Sequence, residues 1–205
     1  LFFVISGYLI TTIIVTKIDA NSFSLVDFYE RRARRIMPAL FAVMIVCIPL
    51  AYFFMTPSEL KSFGLSLAAV SIFSSNILFW KQADYFEASA EEIPLLHTWS
   101  LAVEEQYYLL FPLFLLFFWR FGRKWVVSLM LVGLIISLLL SIWASTHAPV
   151  PNFYLAPTRI WEILTGSICA FILFDGEAVS RFRNAYSSFG IVLIAVSVFV
   201  FDDLT

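Results

Sequence analysis

The stretch LLHTWSLAVEEQYYLLFP, residues 95–112, runs without a break into an apolar segment ending at Trp119. A membrane-crossing helix needs about 20 mostly apolar residues, and this segment is long enough. Its first turns nevertheless hold a His, a Ser, two Glu, a Gln and two Tyr. Ionisable groups are costly in a bilayer, so they face a protein interior or a water-filled cavity, where they mark a functional site or a shared polar network. At helical spacing His97, Ser100, Glu104 and Tyr108 fall on one narrow face with Glu105 beside it, while Trp99 and Gln106 point the other way. A His about two turns from a Glu can move a proton, and the same groups can equally satisfy one another structurally. The spacing is not HExxH, and one His with two acids is a poor zinc set, so no metal is expected.

The rest of the chain supports a membrane setting. Of 205 residues, 61% are hydrophobic and 14% charged. A soluble domain is about 45–50% apolar and about 25% charged. The expected fold is all-α, a polytopic helical transmembrane bundle of about six to seven apolar segments. These are 1–16, 39–55, 63–80, 95–119, 125–145, 160–174 and 188–201, in a single domain over 1–205. There is no internal repeat or low-complexity linker. The net charge of −2 gives no reason to expect nucleic acid. Cys47 and Cys169 lie in separate apolar runs without a CxxC, and read as buried small residues, neither disulfide nor metal ligands. The chain starts mid-run without Met or signal-peptide pattern and stops just past another apolar run, so it is expected to be an internal piece of a longer multi-pass protein.

Short basic loops favour the cytoplasm. RRARR (31–35), RFGRK (120–124) and RFR (181–183) are basic, whereas 83–94 is acidic and 145–157 has no Lys or Arg. The charges require an odd number of crossings between 35 and 91, but two apolar runs lie there. The Ser-rich run 63–80 is therefore expected to be irregular or incomplete.

Two further polar clusters stand out. In SFSLVDFYERRARRIMPAL (22–40), Ser24 and Asp27 resemble a capping box, four Arg follow, and Pro38 is expected to interrupt before the next span. Arg31, Arg34 and Arg35 share one side, and Arg32 is three residues from Arg35. Guanidinium groups grip phosphate oxygens bidentately, so the cluster suits a phosphate-rich ligand; a plain positive-inside anchor on anionic lipid is the structural alternative. In APTRIWEILTG (156–166), Arg159 and Glu162 are i,i+3 neighbours near the start of a span, and a local ion pair in an aromatic belt would account for them.

The segments FFVISGYLIT (2–11), FYERRARRIMPAL (28–40), HTWSLAVEEQYYLLFP (97–112) and RIWEILTG (159–166) occur in the order found in the acyltransferase-3 family. The chain resembles these integral-membrane O-acetylases of bacterial lipopolysaccharide, O-antigen, peptidoglycan and other glycans over essentially its whole length. The resemblance implies a cytoplasmic acyl-CoA donor, normally acetyl-CoA, and a glycan or lipid-linked glycan acceptor beyond the bacterial inner membrane. It assigns Arg32 and Arg35, with Arg31 and Arg34 beside them, to CoA. It matches Glu104 to the conserved acid of the W-S-L-x-x-E pattern, with His97, Trp99 and Ser100 around it, and Arg159 and Glu162 to R-x-W-E. It places the principal catalytic His upstream of residue 1, so His97 is not its replacement and the piece alone is expected to be inactive. Some members carry an SGNH-type domain after the membrane part.

Acyl transfer to an alcohol needs a base and oxyanion stabilisation. The base falls to that absent His. Arg31, Arg32, Arg34 and Arg35 would hold CoA phosphates, and His97, Ser100 and Glu104 would line the cavity where thioester and acceptor meet. No bound cofactor is implied. The competing reading is a secondary transporter or flippase of a lipid-linked sugar, which also places His and Glu in membrane; the sequence lacks the paired interrupted spans such folds show.

Overall fold

The computed structural model describes residues 1–83 and 95–174, together with positions 188, 190–192 and 196. Among the described residues there are eight helices and no strand: α1 (Phe2–Asp19), α2 (Leu25–Phe54), α3 (Pro57–Ser71), α4 (Ser75–Ala83), α5 (Thr98–Trp119), α6 (Arg123–His147), α7 (Pro149–Tyr154) and α8 (Ala156–Phe174). Five stretches are long and apolar enough to cross a membrane: α1, α2, α5, α6 and the combined Pro149–Phe174. Long apolar side chains such as Ile45, Phe53 and Phe54 of α2 and Ile136 and Leu139 of α6 point outward, which in lipid carries no penalty. The protein is an integral membrane protein, all-α as expected. The acidic segment 84–94 and the basic RFR at 181–183 lie outside the described residues, as does most of the expected span 188–201.

The tightest contact is between α1 and α8. Membrane helices lack a hydrophobic drive towards one another, so small residues that let backbones approach do most of the packing. Here the approach is limiting at two glycines. A Cβ on Gly7 would overlap the Ile163 carbonyl oxygen, and one on Gly166 would overlap that of Val4. Ser167 adds a polar tie, its hydroxyl lying 3.2 Å from the Gly7 carbonyl. On the other side of α8, α6 offers Ser137, whose hydroxyl donates to the Pro157 carbonyl at 2.6 Å and accepts the Trp161 N–H at 3.1 Å. The two groups are an i,i−4 pair of α8 itself, so the Ser137 hydroxyl bridges them near the start of that helix. The main core gathers Phe3, Ile14, Val103, Phe111, Met130 and Ile163 from α1, α5, α6 and α8. A smaller cluster joins α2 to α3 through Leu40, Met44, Phe63 and Val70.

Of three sequence expectations, two change and the expected irregularity of 63–80 holds. First, α2 starts where the capping signal places it, with the Asp27 N–H donating to Ser24 Oγ at 3.3 Å, but it then continues through Pro38 and Pro49 to Phe54. Pro38 does not interrupt it, and RRARR lies on a helix instead of in a loop; membrane helices tolerate an interior proline because neighbours re-satisfy the freed groups. Second, the run 63–80 is split. α3 opens on a full capping box, Thr56 with Glu59, in which the Thr56 N–H and hydroxyl hold the Glu59 carboxyl below its usual range. It ends with Phe73 N–H on the Val70 carbonyl (3.1 Å) and Ser74 N–H on that of Ala69 (2.8 Å), and Phe73 has φ +53°. That pattern is a Schellman stop with phenylalanine where glycine usually sits. Third, neither cysteine is fully buried: Cys47 is half-buried against the α2–α3 cluster and Cys169 is exposed on an outward face of α8, both as free thiols.

The glycine contact yields a test. Gly166→Val should lower the thermal stability of the intact protein in detergent by at least about 1–3 kcal/mol, the range for overpacking. Gly64→Ala, at a mid-helix site with open space around it, should be neutral or slightly stabilising. Equal effects at the two sites would remove the α1–α8 approach as the limiting contact.

Candidate active site

Consecutive residues on a helix point about 100° apart, so a run of polar residues reaches several neighbours at once. The run EEQYY, 104–108 of α5, does this. Glu104 faces α1: it accepts the Ser6 hydroxyl at 3.0 Å and the Tyr108 hydroxyl at 3.3 Å, and is 4% exposed. Glu105 faces α2 and accepts Arg32 Nη2 at 2.7 Å. The Arg32 guanidinium also lies over the Tyr108 ring, 3.9 Å from its centre. Gln106 faces the α3–α4 turn and donates to the Phe73 carbonyl (3.0 Å) and Asn76 Oδ1 (2.9 Å). Tyr107 faces α8, its hydroxyl 2.9 Å from Ser167 Oγ. Tyr29 of α2 donates to the Leu109 carbonyl at 2.8 Å. A cavity of about 310 Å³ opens beside this set, lined by Tyr29, Arg32, Met37, Phe73, Glu105 and Tyr108 among others. Among the described residues no three His, Cys, Asp or Glu side chains converge as metal ligands.

The structure brings some of the sequence-predicted residues together and leaves others apart. Glu104 and Tyr108 share a face and a hydrogen bond, as their spacing implies. Arg32 and Glu105 unite two clusters that sequence separation keeps distinct. His97 is exposed at the N-cap of α5, and Ser100 donates to the His97 carbonyl at 3.2 Å instead of reaching Glu104. Arg31, Arg34 and Arg35 are exposed on α2, with Arg34 paired to Glu30 at 2.6 Å. Only Arg32 of the four turns inward. Arg159 pairs with Glu162 at 3.0 Å and donates to the Phe153 carbonyl at 3.3 Å, near Trp99, which packs on Phe3, Phe153 and Tyr154.

Ser6, Tyr29, Asn76 and Ser167 are missed by the sequence reading. Ser6 and Ser167 are single hydroxyls in apolar or small-residue runs, Tyr29 stands among charges and Asn76 follows two serines, and only the tertiary neighbour reveals the partner of each. Gln106 was visible, but as a residue pointing away from the Glu104 face. It does point away, towards a second polar contact.

An integral-membrane helical bundle with a buried carboxylate, a part-buried Arg–Glu pair and a cavity beside that pair is the class of protein defined so far. Residues 1–205 match the acyltransferase domain family. The chain belongs to that family. It is 40% identical over 177 residues to an uncharacterised protein of Haemophilus influenzae, covering 83% of this chain and 72% of that one. It is 37% identical over 183 residues to the peptidoglycan O-acetyltransferase OatA of Listeria monocytogenes, covering 84% of this chain and 28% of that protein. With the O-acetyltransferase OatA of Staphylococcus aureus the identity is 36% over 177 residues, 83% of this chain and 29% of that one. The chain thus spans less than a third of either OatA protein. No solved structure matches it.

The Arg32–Glu105 pair is largely withdrawn from solvent, with side chains 19% and 13% exposed. Removing one partner of a buried pair strands the other charge, at about 3–5 kcal/mol, whereas removing both can be close to neutral. Arg32→Met should therefore destabilise the intact protein more than Arg32→Met combined with Glu105→Met, as read by thermal unfolding in detergent. Additive losses would show that the two groups act independently.

Proposed function

We propose that the chain is the membrane part of an O-acyltransferase that moves an acyl group, acetyl by analogy with the OatA proteins, from cytoplasmic acyl-CoA to a sugar hydroxyl of a cell-envelope glycan. Peptidoglycan, lipopolysaccharide and O-antigen are the acceptor classes, and the bacterial inner membrane is the setting. The carrying observation is the buried Glu104–Ser6–Tyr108 set beside Arg32–Glu105 at the cavity. Such groups are too costly in lipid to be incidental.

The reaction breaks the thioester C–S bond and forms an ester C–O bond. The hydroxyl loses its proton to a base, the CoA thiolate leaves and is protonated, and a tetrahedral oxyanion forms between. Oxyanion stabilisation requires donors already aimed at the developing charge. Arg32, which keeps guanidinium N–H groups beyond the one bonded to Glu105, is the donor at the cavity wall. Glu105 fixes that guanidinium, and Glu104, by accepting the Tyr108 hydroxyl, holds the ring on which it rests. The base is the histidine that the resemblance places outside this sequence. Arg31, Arg34 and Arg35, outward on α2, suit the CoA phosphates, and Arg32, engaged with Glu105, serves the cavity instead.

The test is Glu104→Gln in the intact protein, with alkali-released acetate from envelope glycan as the readout. Loss of at least about tenfold at unchanged membrane abundance is expected, since an interaction made in the transition state is worth about tenfold per 1.4 kcal/mol. Acetate that falls only in step with protein abundance would reduce the set to a structural network.

The outward arginines offer a second check. Lysine keeps positive charge but not the planar fork, so Arg→Lys separates a phosphate clamp from a topology anchor. Arg31→Lys/Arg35→Lys should keep membrane orientation yet weaken acetyl-CoA binding about tenfold by calorimetry. Unchanged binding would return these residues to an anchoring role.

A further inference from the structure

The α3–α4 turn carries an observation that acyl transfer as described does not use. Phe73 holds φ +53°, a region that bulky side chains rarely adopt. Such outliers persist only where the surroundings over-determine them, and they gather at ligand clamps and sites. The determinant is visible. Gln106 spends both amide hydrogens on this turn, one on the Phe73 carbonyl and one on Asn76 Oδ1. Asn76, 1% exposed, passes the tie on by donating to the Tyr154 carbonyl of α7 at 3.2 Å. Ser75 and Thr98 bond each other at 3.2 Å and clasp α4 to the start of α5. A nine-residue helix and a strained turn are thus locked against α5 by the amides of Gln106 and the buried Asn76.

The locked turn is a wall of the cavity. Ile72, Phe73 and Gln106 line it on one side, Arg32, Glu105 and Tyr108 on another, and Ile36 and Met37 of α2 on a third. The charged side offers hydrogen bonds, and Ile36, Met37, Ile72 and Phe73 make most of the rest apolar. A short acyl chain attached to a polar thioester has that same division. A rigid apolar wall discriminates chain length, typically about tenfold or more per methylene, whereas a loose wall gives way.

We infer that Gln106 is a positioning residue that holds the Ile72–Phe73 turn against the cavity and thereby sets which acyl group the enzyme transfers. The inference rests on the acyl-transfer reading above. It goes beyond that reading by assigning donor selectivity to a turn that touches neither CoA phosphates nor the Glu104 set.

The experiment supplies membrane vesicles containing the intact protein with equal acetyl-CoA and butanoyl-CoA and measures alkali-released acetate and butanoate from vesicle glycan. Gln106→Leu keeps the side chain's bulk and removes the donors. Phe73→Gly takes a positive φ without strain and removes the ring from the wall. In both, the acetate-to-butanoate ratio should fall at least about tenfold relative to the parent. A purely structural role lowers both products together, so an unmoved ratio in a variant that still transfers acetate overturns the inference. If Gln106→Leu does not accumulate, Phe73→Gly decides alone, because it relieves the turn instead of straining it. A parent protein that releases neither acid would instead overturn the acyl-transfer reading itself.

Discussion

In a bilayer a polar side chain has no water to fall back on, and five consecutive residues of α5 each meet that constraint with a partner. Glu104 to Tyr108 radiate to α1, α2, the α3–α4 turn and α8. A helix turns about 100° per residue, so no single neighbour could take them all. The bundle is therefore arranged around α5 by its polar content as much as by its apolar stripe. Ser6 has to lie opposite Glu104, Arg32 opposite Glu105 and Ser167 opposite Tyr107, and these requirements fix the rotation of α1, α2 and α8 as well as their order. The apolar core then fills what the polar contacts have already positioned.

The packing around this axle is uneven, and the unevenness follows from residue size. Between α1 and α8, glycines permit backbone contact and a rigid pair results. α2 has no such seam with the bundle. It is attached near its start by Tyr29 and Arg32, and its later turns pack on α3 and otherwise face outward. The cavity lies between the rigid part and this loosely attached helix. Local stability is lowest where buried contacts are fewest, and elements that admit ligands are drawn from that end.

The sequence makes the helical membrane class legible, because twenty-residue apolar runs have few other uses, and it locates α1, α5 and α6 to within a few residues. It also singles out Glu104 and Glu105 as costly and the four arginines as a candidate phosphate clamp. What it cannot supply is pairing. Arg32 looks like its neighbours Arg31 and Arg34, and only the approach of α5 distinguishes it. Ser6 and Ser167 are unremarked hydroxyls until a carboxylate and a tyrosine arrive beside them. The continuity of α2 through two prolines is likewise a tertiary outcome, since a local rule would end the helix at Pro38. Conversely, the break at Phe73 has no glycine to announce it. The Ser-rich run hints that something is irregular, and a half-buried glutamine thirty-three residues away decides where.

The seam between α1 and α8 joins positions about 160 residues apart in the chain. Ribosomes add about 5–20 residues per second. α1 thus enters the membrane roughly 10–30 s before its closest companion among the described helices exists. For that interval the groove at Gly7 is open and the Ser6 hydroxyl has no carboxylate until α5 follows. The helix synthesised early is held in place by the one synthesised late, so assembly of this protein is governed by its later-made segments, and interrupted synthesis would leave α1 in the bilayer without the surface it is shaped to fit.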